Sequence, residues 1–169
     1  MILGIGGLAT TGKTTSAVYL HDTYGFENFN FSDLLKEIAY KCGWNGEKDE
    51  YGRKMLQELG DELRRIFGDD VFINHTTKRI KQHQEICKRN NLEALVTVSD
   101  VRLLDEIDAL KDLGASVILI EREVEKLNHK TEKINEMKDH FNFVIDNNGT
   151  FEELYKSLDT IMQGKICQS

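Results

Sequence analysis

The sequence lacks the features that mark several classes of protein. It contains no proline, and no apolar run approaches the roughly 20 residues that span a bilayer. The N-terminus carries neither the basic region nor the small-residue cleavage site of a secretory signal. We therefore expect a protein of the cytoplasm with no membrane partner.

Cysteine is scarce, and basic residues are in deficit. The three cysteines, Cys42, Cys87 and Cys167, are too widely spaced for a CxxC or Cys/His zinc pattern, so we expect reduced thiols that mostly pack. The 22 basic residues face 29 acidic ones, which gives a formal net charge of -7. This balance argues against a nucleic-acid partner, and an anionic ligand must be held by a local basic cluster.

Apolar residues make up 40% and charged residues 30% of the 169 residues, which is typical of a folded domain. The sequence has no internal repeat, no low-complexity segment and no linker that would divide it. We therefore predict a single domain over residues 1–169, long enough to build one core.

Short apolar runs alternate with longer amphipathic segments along the chain. The predicted strands cover residues 2–6, 26–31, 95–99, 116–121 and 143–146. Helices are predicted over 13–21, 50–67 and 70–90, after a capping Ser32, over 103–113 before Gly114, and after a Thr150/Glu153 capping box. The alternation predicts an α/β fold with three layers, in which helices cover both faces of a five-stranded parallel sheet. Such sheets bind ligands at the carboxyl ends of their strands.

The segment GGLATTGKTT, residues 6–15, lies between the first predicted strand and helix. Within it, residues 7–14 match GxxxxGKT, a loop whose backbone N–H groups surround phosphates while its lysine reaches the β and γ oxygens. A flexible glycine turn with a solvated lysine is the alternative, but it would not require this strand and helix context. The residues expected to bind a nucleoside triphosphate here are Gly7, Ala9, Thr10, Thr11, Gly12, Lys13, Thr14 and Thr15. Thr14 is preferred over Thr15 as the hydroxyl that meets Mg²⁺.

Further segments resemble a known family. FSDLLKEIA, GWNGEKDEYGRKMLQELGDELRR, GDDVF, VSDVRLLDEIDAL, HKTE and DNNGTFEELY are similar, in this order, to the deoxynucleoside monophosphate kinases of tailed bacteriophages. The resemblance implies a P-loop kinase fold with a helical acceptor-binding region over 32–92 and a lid over 122–138. It also implies transfer of the γ-phosphoryl group of ATP, with Mg²⁺, to a deoxynucleoside monophosphate. A viral protein of this kind would work in the host cytoplasm, as a monomer or a homodimer.

Because the acceptor phosphate is mostly a dianion at neutral pH, such a reaction needs cations more than a base. Lys13 is expected at the β and γ phosphates. Arg102, which follows the predicted strand 95–99, could bridge the acceptor and donor phosphates, or form a surface salt bridge instead. Asp100 is expected at the metal, with a helix N-cap as its alternative.

The resemblance assigns acceptor binding to the helical region. Asp33 is expected to contact the sugar or a metal-bound water, although it could also cap a helix with Ser32. Trp44 could stack on the acceptor base or lie in the core. The cations expected to bind the acceptor are Lys48, Arg53, Arg64 and Arg65, each of which could instead be solvated.

The lid and the last loop complete the expected site. Arg122 is expected to contact phosphate from the lid, although the segment could be a plain solvated helix. The loop from Asn147 to Gly149 is expected to line the ATP base through backbone groups. His129 and Glu132 match a short HxTE pattern of the family, without an assigned chemical step.

Other functions remain open at this point. A regulatory GTPase would need an NKxD segment after a strand, which the sequence lacks. Dephospho-coenzyme A kinase and adenylate kinase share the loop and the fold, and a nonenzymatic ATP sensor would bind without turnover. The sequence does not select the acceptor base.

Overall fold

The computed structural model describes residues 1–123 and 137–166. The five strands are β1 (Ile2–Gly6), β2 (Glu27–Phe29), β3 (Val96–Val101), β4 (Ser116–Glu121) and β5 (Phe143–Asp146). The helices are α1 (Lys13–Tyr24), α2 (Asp33–Lys41), α3 (Glu50–Phe67), α4 (Val71–Arg89), α5 (Leu104–Asp112) and α6 (Phe151–Ile166). One turn of 3₁₀-helix, Lys138–His140, precedes β5.

The strands form one parallel sheet in the order β2-β3-β1-β4-β5. β1 is central, and it pairs in parallel with β3 on one side and with β4 on the other. β5 continues the sheet in parallel beyond β4. The predicted five-stranded parallel sheet is therefore confirmed.

Alternation along β1 explains the three layers. Leu3 and Ile5 are buried in a cluster with residues of α1 and α6, such as Leu20 and Leu158. Gly4 points to the opposite face, where a Cβ atom would lie 2.8 Å from Leu110 Cδ1 of α5. Because successive residues of a strand face opposite sides, both faces of this strand are covered by helices.

The chain divides into two compact units, one of residues 1–28 and 93–169 and the other of residues 29–92. The second unit is built on α2, α3 and α4. Its buried apolar residues include Phe31, Ala39, Phe72 and Ile80. The assignment of 1–169 to one kinase domain with an acceptor region over 32–92 stays a prediction.

The largest differences from the predicted element boundaries are in β2, β3 and α1. β2 ends at Phe29, two residues before the predicted end, because the next residues turn: Asp33 N donates to Asn30 O at 3.1 Å. β3 runs to Val101, beyond the predicted end at residue 99. α1 continues to Tyr24, where Gly25 with φ +80° ends it.

Ser32 lies at the start of α2, as predicted, but its side chain makes no capping hydrogen bond. Its φ of -77° and ψ of -2° are already helical, whereas a capping serine has an extended backbone. The Thr150/Glu153 capping box of α6 is present, with N–H···O distances of 2.8 and 3.3 Å.

Two cysteines lie in the described part of the chain, both as free thiols. Cys87 is buried, as expected, whereas Cys42 is exposed and therefore does not pack. Cys167 lies outside the described residues. Within residues 1–123 and 137–166, no helix is both long and apolar enough to cross a membrane.

Candidate active site

Four loops leave the sheet at one edge. Because paired parallel strands run in the same direction, their carboxyl ends lie together, as the pairs Gly6↔Val101, Gly6↔Leu119 and Glu121↔Asp146 show. The loop that follows β1 carries the GxxxxGKT segment. Arg102 follows β3, Arg122 follows β4 and Asn147 follows β5. The edge predicted from the strand pattern therefore collects most of the residues predicted for the donor side.

Two glycines of the GxxxxGKT loop are required by both backbone and space. Gly7 has φ +144° and Gly12 has φ +109°, which are values that other residues rarely adopt. A Cβ atom on Gly7 would lie 2.5 Å from Ile120 O, and one on Gly12 would lie 2.5 Å from Asn147 Nδ2. Thr10 adopts φ +66° as well, a strained conformation for a β-branched residue in a functional loop.

Asn147 holds the loop through its side chain. Its Nδ2 donates to Thr11 O at 2.7 Å, and the residue is only 4% exposed. Thr11 Oγ1 in turn donates to Leu8 O at 3.0 Å. The sequence predicted a role only for backbone groups of the loop from Asn147 to Gly149. The side-chain hydrogen bond from Asn147 to Thr11 O, here called the Asn147 brace, is therefore a finding of the structure.

Lys13 is held inside its own loop. Its Nζ donates to Gly7 O at 2.9 Å and also to Leu8 O, and the residue is 8% exposed. Burial lowers the pKa of Lys13 from 10.5 to about 8, with a further lowering by Arg102, while Asp100 acts in the opposite direction. With a pKa near 8, most molecules carry the ammonium at neutral pH.

The first turn of α1 favours an anion. Gly12 is its N-cap residue, and no side chain of the fully described helix α1 caps the first N–H groups or places an acidic charge there. The positive end of a helix dipole and its first N–H groups attract phosphate. Thr14, at the second position of this helix, is exposed, and Thr15 is half-buried.

Arg102 and Asp100 lie within electrostatic reach of the Lys13 ammonium, because both contribute to its pKa. Asp100 is half-buried in β3, whereas the Arg102 side chain is exposed just beyond that strand. Asp100 is not a helix N-cap, since α5 starts after Leu103. The structure thus brings together three residues that the sequence pattern proposed separately.

Glu106 lies next to these residues and was not predicted from the sequence. It is only 8% exposed, and its carboxylate accepts the backbone N–H groups of Arg102 and Leu103. Burial raises the pKa of Glu106 from 4.5 to about 7, against the lowering effect of these hydrogen bonds. A Glu at the third helical position is one half of a capping box, but a leucine at the N-cap hides the signal.

The described residues offer few ligands for a metal ion. No group of three or more His, Cys, Asp or Glu side chains that could hold a metal is present in residues 1–123 and 137–166. Thr14 and Asp100 supply oxygen donors only. This sparse oxygen set fits Mg²⁺, which usually binds one or two protein ligands together with water and substrate phosphates.

In the second unit, Asp33 is held in a local network. Its carboxylate accepts the backbone N–H of Asn30 at 2.9 Å and the Asn30 amide at 3.2 Å. It also pairs with Arg79 at 3.3 Å, and the Arg79 guanidinium lies 5.1 Å from the centre of the Phe29 ring. A single arginine on the polar α4 gives no sequence pattern, so Arg79 was not among the predicted residues.

The other predicted acceptor cations lie on or before α3. Arg65 pairs with Glu62 at 2.5 Å and is exposed, while Arg64 pairs with Asp61 at 3.4 Å and covers the Phe72 ring at 4.9 Å. Surface ion pairs of this kind are weak, so an anion can replace the partner. Lys48 and Arg53 are exposed.

Trp44 lies before α3 and is half-buried. Its ring centre is 4.8 Å from that of Tyr40, and its Nε1 donates to Glu47 O at 3.1 Å. The tryptophan is thus at the surface of the second unit and not in its core. Stacking on the acceptor base stays a prediction.

The predicted lid falls mostly on residues 124–136, which lie outside the described part of the chain together with His129 and Glu132. Arg122 is described and exposed at the end of β4. Its neighbour Glu121 pairs with Lys138 at 2.9 Å. The lid and the phosphate contact of Arg122 stay predictions, as does a contact of Gly149 with the ATP base.

Comparison with solved structures identifies the fold. The chain is similar to shikimate kinase from Aquifex aeolicus vf5, with a TM-score of 0.58, 12% identity and 98% of each chain covered. It is also similar to dephospho-CoA kinase from Campylobacter jejuni, with a TM-score of 0.56, 17% identity, and 97% of this chain and 98% of that chain covered. The predicted P-loop kinase fold is confirmed.

Sequence comparison identifies the family. The model of the family "Deoxynucleotide monophosphate kinase" matches residues 45–158, well over half of the chain. A protein of Acanthamoeba polyphaga mimivirus, named "Putative deoxynucleotide monophosphate kinase", is 29% identical over 181 residues that cover 94% of each protein. The resemblance found in the sequence is therefore confirmed. The chain belongs to the deoxynucleotide monophosphate kinase family and is a nucleotide kinase.

Proposed function

We propose that this protein transfers the γ-phosphoryl group of ATP to the 5′-phosphate of a deoxynucleoside monophosphate and releases ADP and a deoxynucleoside diphosphate. The observation that carries the proposal is the position of the Lys13 ammonium. It is buried on the carbonyls of Gly7 and Leu8, with Arg102 and Asp100 within electrostatic reach. Family membership supplies the class of acceptor.

The donor phosphates bind at the GxxxxGKT loop in this proposal. The N–H groups at the start of α1 and the Lys13 ammonium attract the β and γ phosphates. Lys13 exchanges its two backbone carbonyl partners for phosphate oxygens, which favour the charged amine and raise its pKa again. The glycines and the Asn147 brace keep the loop in the conformation that surrounds the phosphates.

Arg102 neutralises charge between the two nucleotides. Its planar guanidinium can bind oxygens of both the donor and the acceptor phosphate, which a single ammonium cannot do as well. Thr14 and Asp100 would hold Mg²⁺, Thr14 through its hydroxyl and Asp100 directly or through water. When bound, Mg²⁺ would neutralise charge on the donor phosphates.

The acceptor binds through residues of the second unit. Arg53, Arg64, Arg65 and Lys48 are its candidate phosphate cations, and Trp44 is the candidate for stacking on its base. Asp33, whose carboxylate is fixed by Asn30 and Arg79, is a candidate contact for the sugar. Arg79 joins these candidates because Asp33 and Phe29 already hold its guanidinium in place.

No side chain needs to remove a proton in this reaction. The acceptor monophosphate has a second pKa of about 6, so it reaches the donor as a dianion and can attack directly. The enzyme must align two anions and neutralise the charge that spreads over the transferred group. The high share of candidate cations among the site residues agrees with that requirement.

The test is a coupled assay of ADP release with ATP, Mg²⁺ and a panel of acceptors, namely deoxynucleoside monophosphates, ribonucleoside monophosphates and dephospho-coenzyme A. The proposal predicts turnover with at least one deoxynucleoside monophosphate, well above the rate without acceptor. Turnover of dephospho-coenzyme A or AMP alone would assign a different P-loop kinase. ATP binding without turnover of any acceptor would indicate a sensor and overturn the proposal.

A further inference from the structure

One buried carboxylate closes the turn from β3 into α5. Glu106 lies in the first turn of α5 and is 8% exposed. A single oxygen, Oε2, accepts the backbone N–H of Arg102 at 2.6 Å and that of Leu103 at 3.0 Å. N–H groups at a helix start have no partner within the helix, so this carboxylate fixes two otherwise unpaired donors.

The first of these donors belongs to Arg102. Its exposed side chain starts one residue after β3 and lies within electrostatic reach of the buried Lys13 ammonium. A long side chain on a loose turn can adopt many positions, and ordering it costs entropy. Because misplacement of a catalytic group by about 1 Å can lower a rate by about 100-fold, the position of this backbone matters for the reaction.

We propose that Glu106 is a positioning residue for phosphoryl transfer, which fixes the backbone of Arg102 and thereby holds its guanidinium beside Lys13. The inference rests on the proposed function, because it assumes the role that the proposal gives to Arg102. Glu106 itself touches neither nucleotide. The buried carboxylate acts only through Arg102.

The chemistry of the position supports more than a helix cap. Burying a carboxylate costs free energy, and the nearby Asp100 carboxylate adds repulsion. A Ser or Asp at the N-cap would accept the N–H of the second or third helical residue, so it could not bind the N–H of Arg102. The reach of the Glu106 carboxylate back to Arg102 is therefore more than the capping of α5 requires.

The test compares E106A and E106Q with D105A, a control at an exposed position in the same helical turn. We expect E106A to lower kcat about tenfold while both KM values stay within about twofold. E106Q is expected to keep kcat within about twofold, since one amide oxygen can accept both N–H groups as Oε2 does. D105A is expected to match the wild type.

A double-mutant cycle tests whether Glu106 acts through Arg102. In an R102A background, E106A is expected to cause no further loss of kcat. Three results would overturn the proposal. They are a normal kcat in E106A despite a lowered Tm, equal damage by E106Q and E106A, and losses in E106A and R102A that multiply in the double variant.

A second readout does not depend on turnover, so that failure of the proposed function can be recognised separately. In ¹H–¹⁵N NMR spectra, the backbone N–H signal of Arg102, which Glu106 Oε2 accepts, is expected to be protected from exchange with water in the wild type and in E106Q. In E106A this signal is expected to shift and to exchange faster. An unchanged Arg102 signal in E106A would contradict the proposal even if no acceptor were phosphorylated.

Discussion

At the scale of single residues, the Lys13 ammonium is prepared for an anion. It is bound to two backbone carbonyls and almost removed from water, so its charge is only partly compensated. A phosphate that replaces those carbonyls gains a charge-assisted hydrogen bond in a setting of low dielectric constant, where such bonds are strong. Lys13 is therefore the residue whose loss should weaken the reaction most.

Replacing Lys13 by methionine tests this directly. K13M keeps the length of the side chain and fits the buried site, but it removes the charge that the transition state needs. We expect kcat to fall by about 100-fold or more, in the range found when one charge-stabilising donor is removed. Steady-state assays should show no such loss for K156M, at an exposed position on α6. A K13M protein that is folded and at least half as active would contradict the assignment.

The raised pKa of Glu106 makes the stability of the folded protein depend on pH. Its pKa rises from 4.5 to about 7 in the folded protein, so the folded state holds this proton more tightly than the unfolded state between those values. The free energy of unfolding therefore falls as the pH rises through this window. At about 1.4 kcal/mol per pH unit, the full effect is about 3 kcal/mol.

E106Q cannot titrate, so its Tm should rise relative to that of the wild type between about pH 4.5 and pH 7. Thermal denaturation over this range should show a relative gain of several degrees. A difference in Tm between the wild type and E106Q that is independent of pH would contradict the raised pKa of Glu106.

The residues of this site differ in how readable they were. The sequence predicted Lys13, the loop glycines, Asp100 and Arg102, because each comes soon after a predicted strand. The structure brings Lys13, Asp100 and Arg102 together. Arg79 was missed because its partner Asp33 lies far away in the sequence, and a sequence pattern carries no information about such a tertiary contact. Glu106 was missed for a local reason, since a leucine at the N-cap hides the capping box.

At the scale of elements, periodicity predicted most of the fold. β4 and β5 have the predicted bounds, and α3 does too, because their apolar patterns are strong and end at clear turns. The predicted β2 was too long, since alternating aromatics continue to Phe31 while the backbone already turns at Asn30. The side chain of Asp33 accepts the backbone N–H of Asn30 at this turn.

The close packing of the loop between β1 and α1 can be tested by comparing Gly12, in this loop, with Gly25, at the end of α1. Gly12 and Gly25 both have positive φ, but a Cβ atom would meet Asn147 only at Gly12 and would meet nothing within 4 Å at Gly25. G25A should therefore lose only about 1 kcal/mol for its backbone conformation.

G12A should lose more stability, because it displaces the Asn147 amide from Thr11 O. It should also weaken ATP binding, whereas G25A should not. Thermal denaturation and calorimetric titration with ATP measure both effects. Equal loss of Tm and equal ATP affinity in the two variants would show that close packing at Gly12 is unimportant.

At the scale of the whole molecule, the sequence predicted the class of fold and the family. The alternation of strands and helices defined the α/β sheet, and the GEKDEYGRKMLQELG block indicated the family more specifically than the GxxxxGKT loop alone. Composition does not mark the division near residues 29 and 92, because neither boundary has the Gly, Pro or Ser content of a linker. The base of the acceptor depends on side-chain positions that patterns do not encode.

Ligand binding should stabilise the folded molecule. At 100 times its Kd, a ligand that binds only the folded state adds about 2.7 kcal/mol. In a protein of this size, each kcal/mol raises Tm by about 2 to 4 °C. ATP with Mg²⁺ should therefore raise Tm by about 5 to 10 °C, and shikimate, used as a control ligand, should not. An unchanged Tm at saturating ATP would contradict nucleotide binding.

The most direct measurement of phosphoryl transfer is ³¹P NMR of a mixture of the protein, ATP, Mg²⁺ and the best deoxynucleoside monophosphate. The proposed reaction predicts that the signals of ADP and of the deoxynucleoside diphosphate grow together, in equal amounts and without inorganic phosphate. Growth of ADP and inorganic phosphate alone would show hydrolysis of ATP and contradict transfer to the acceptor.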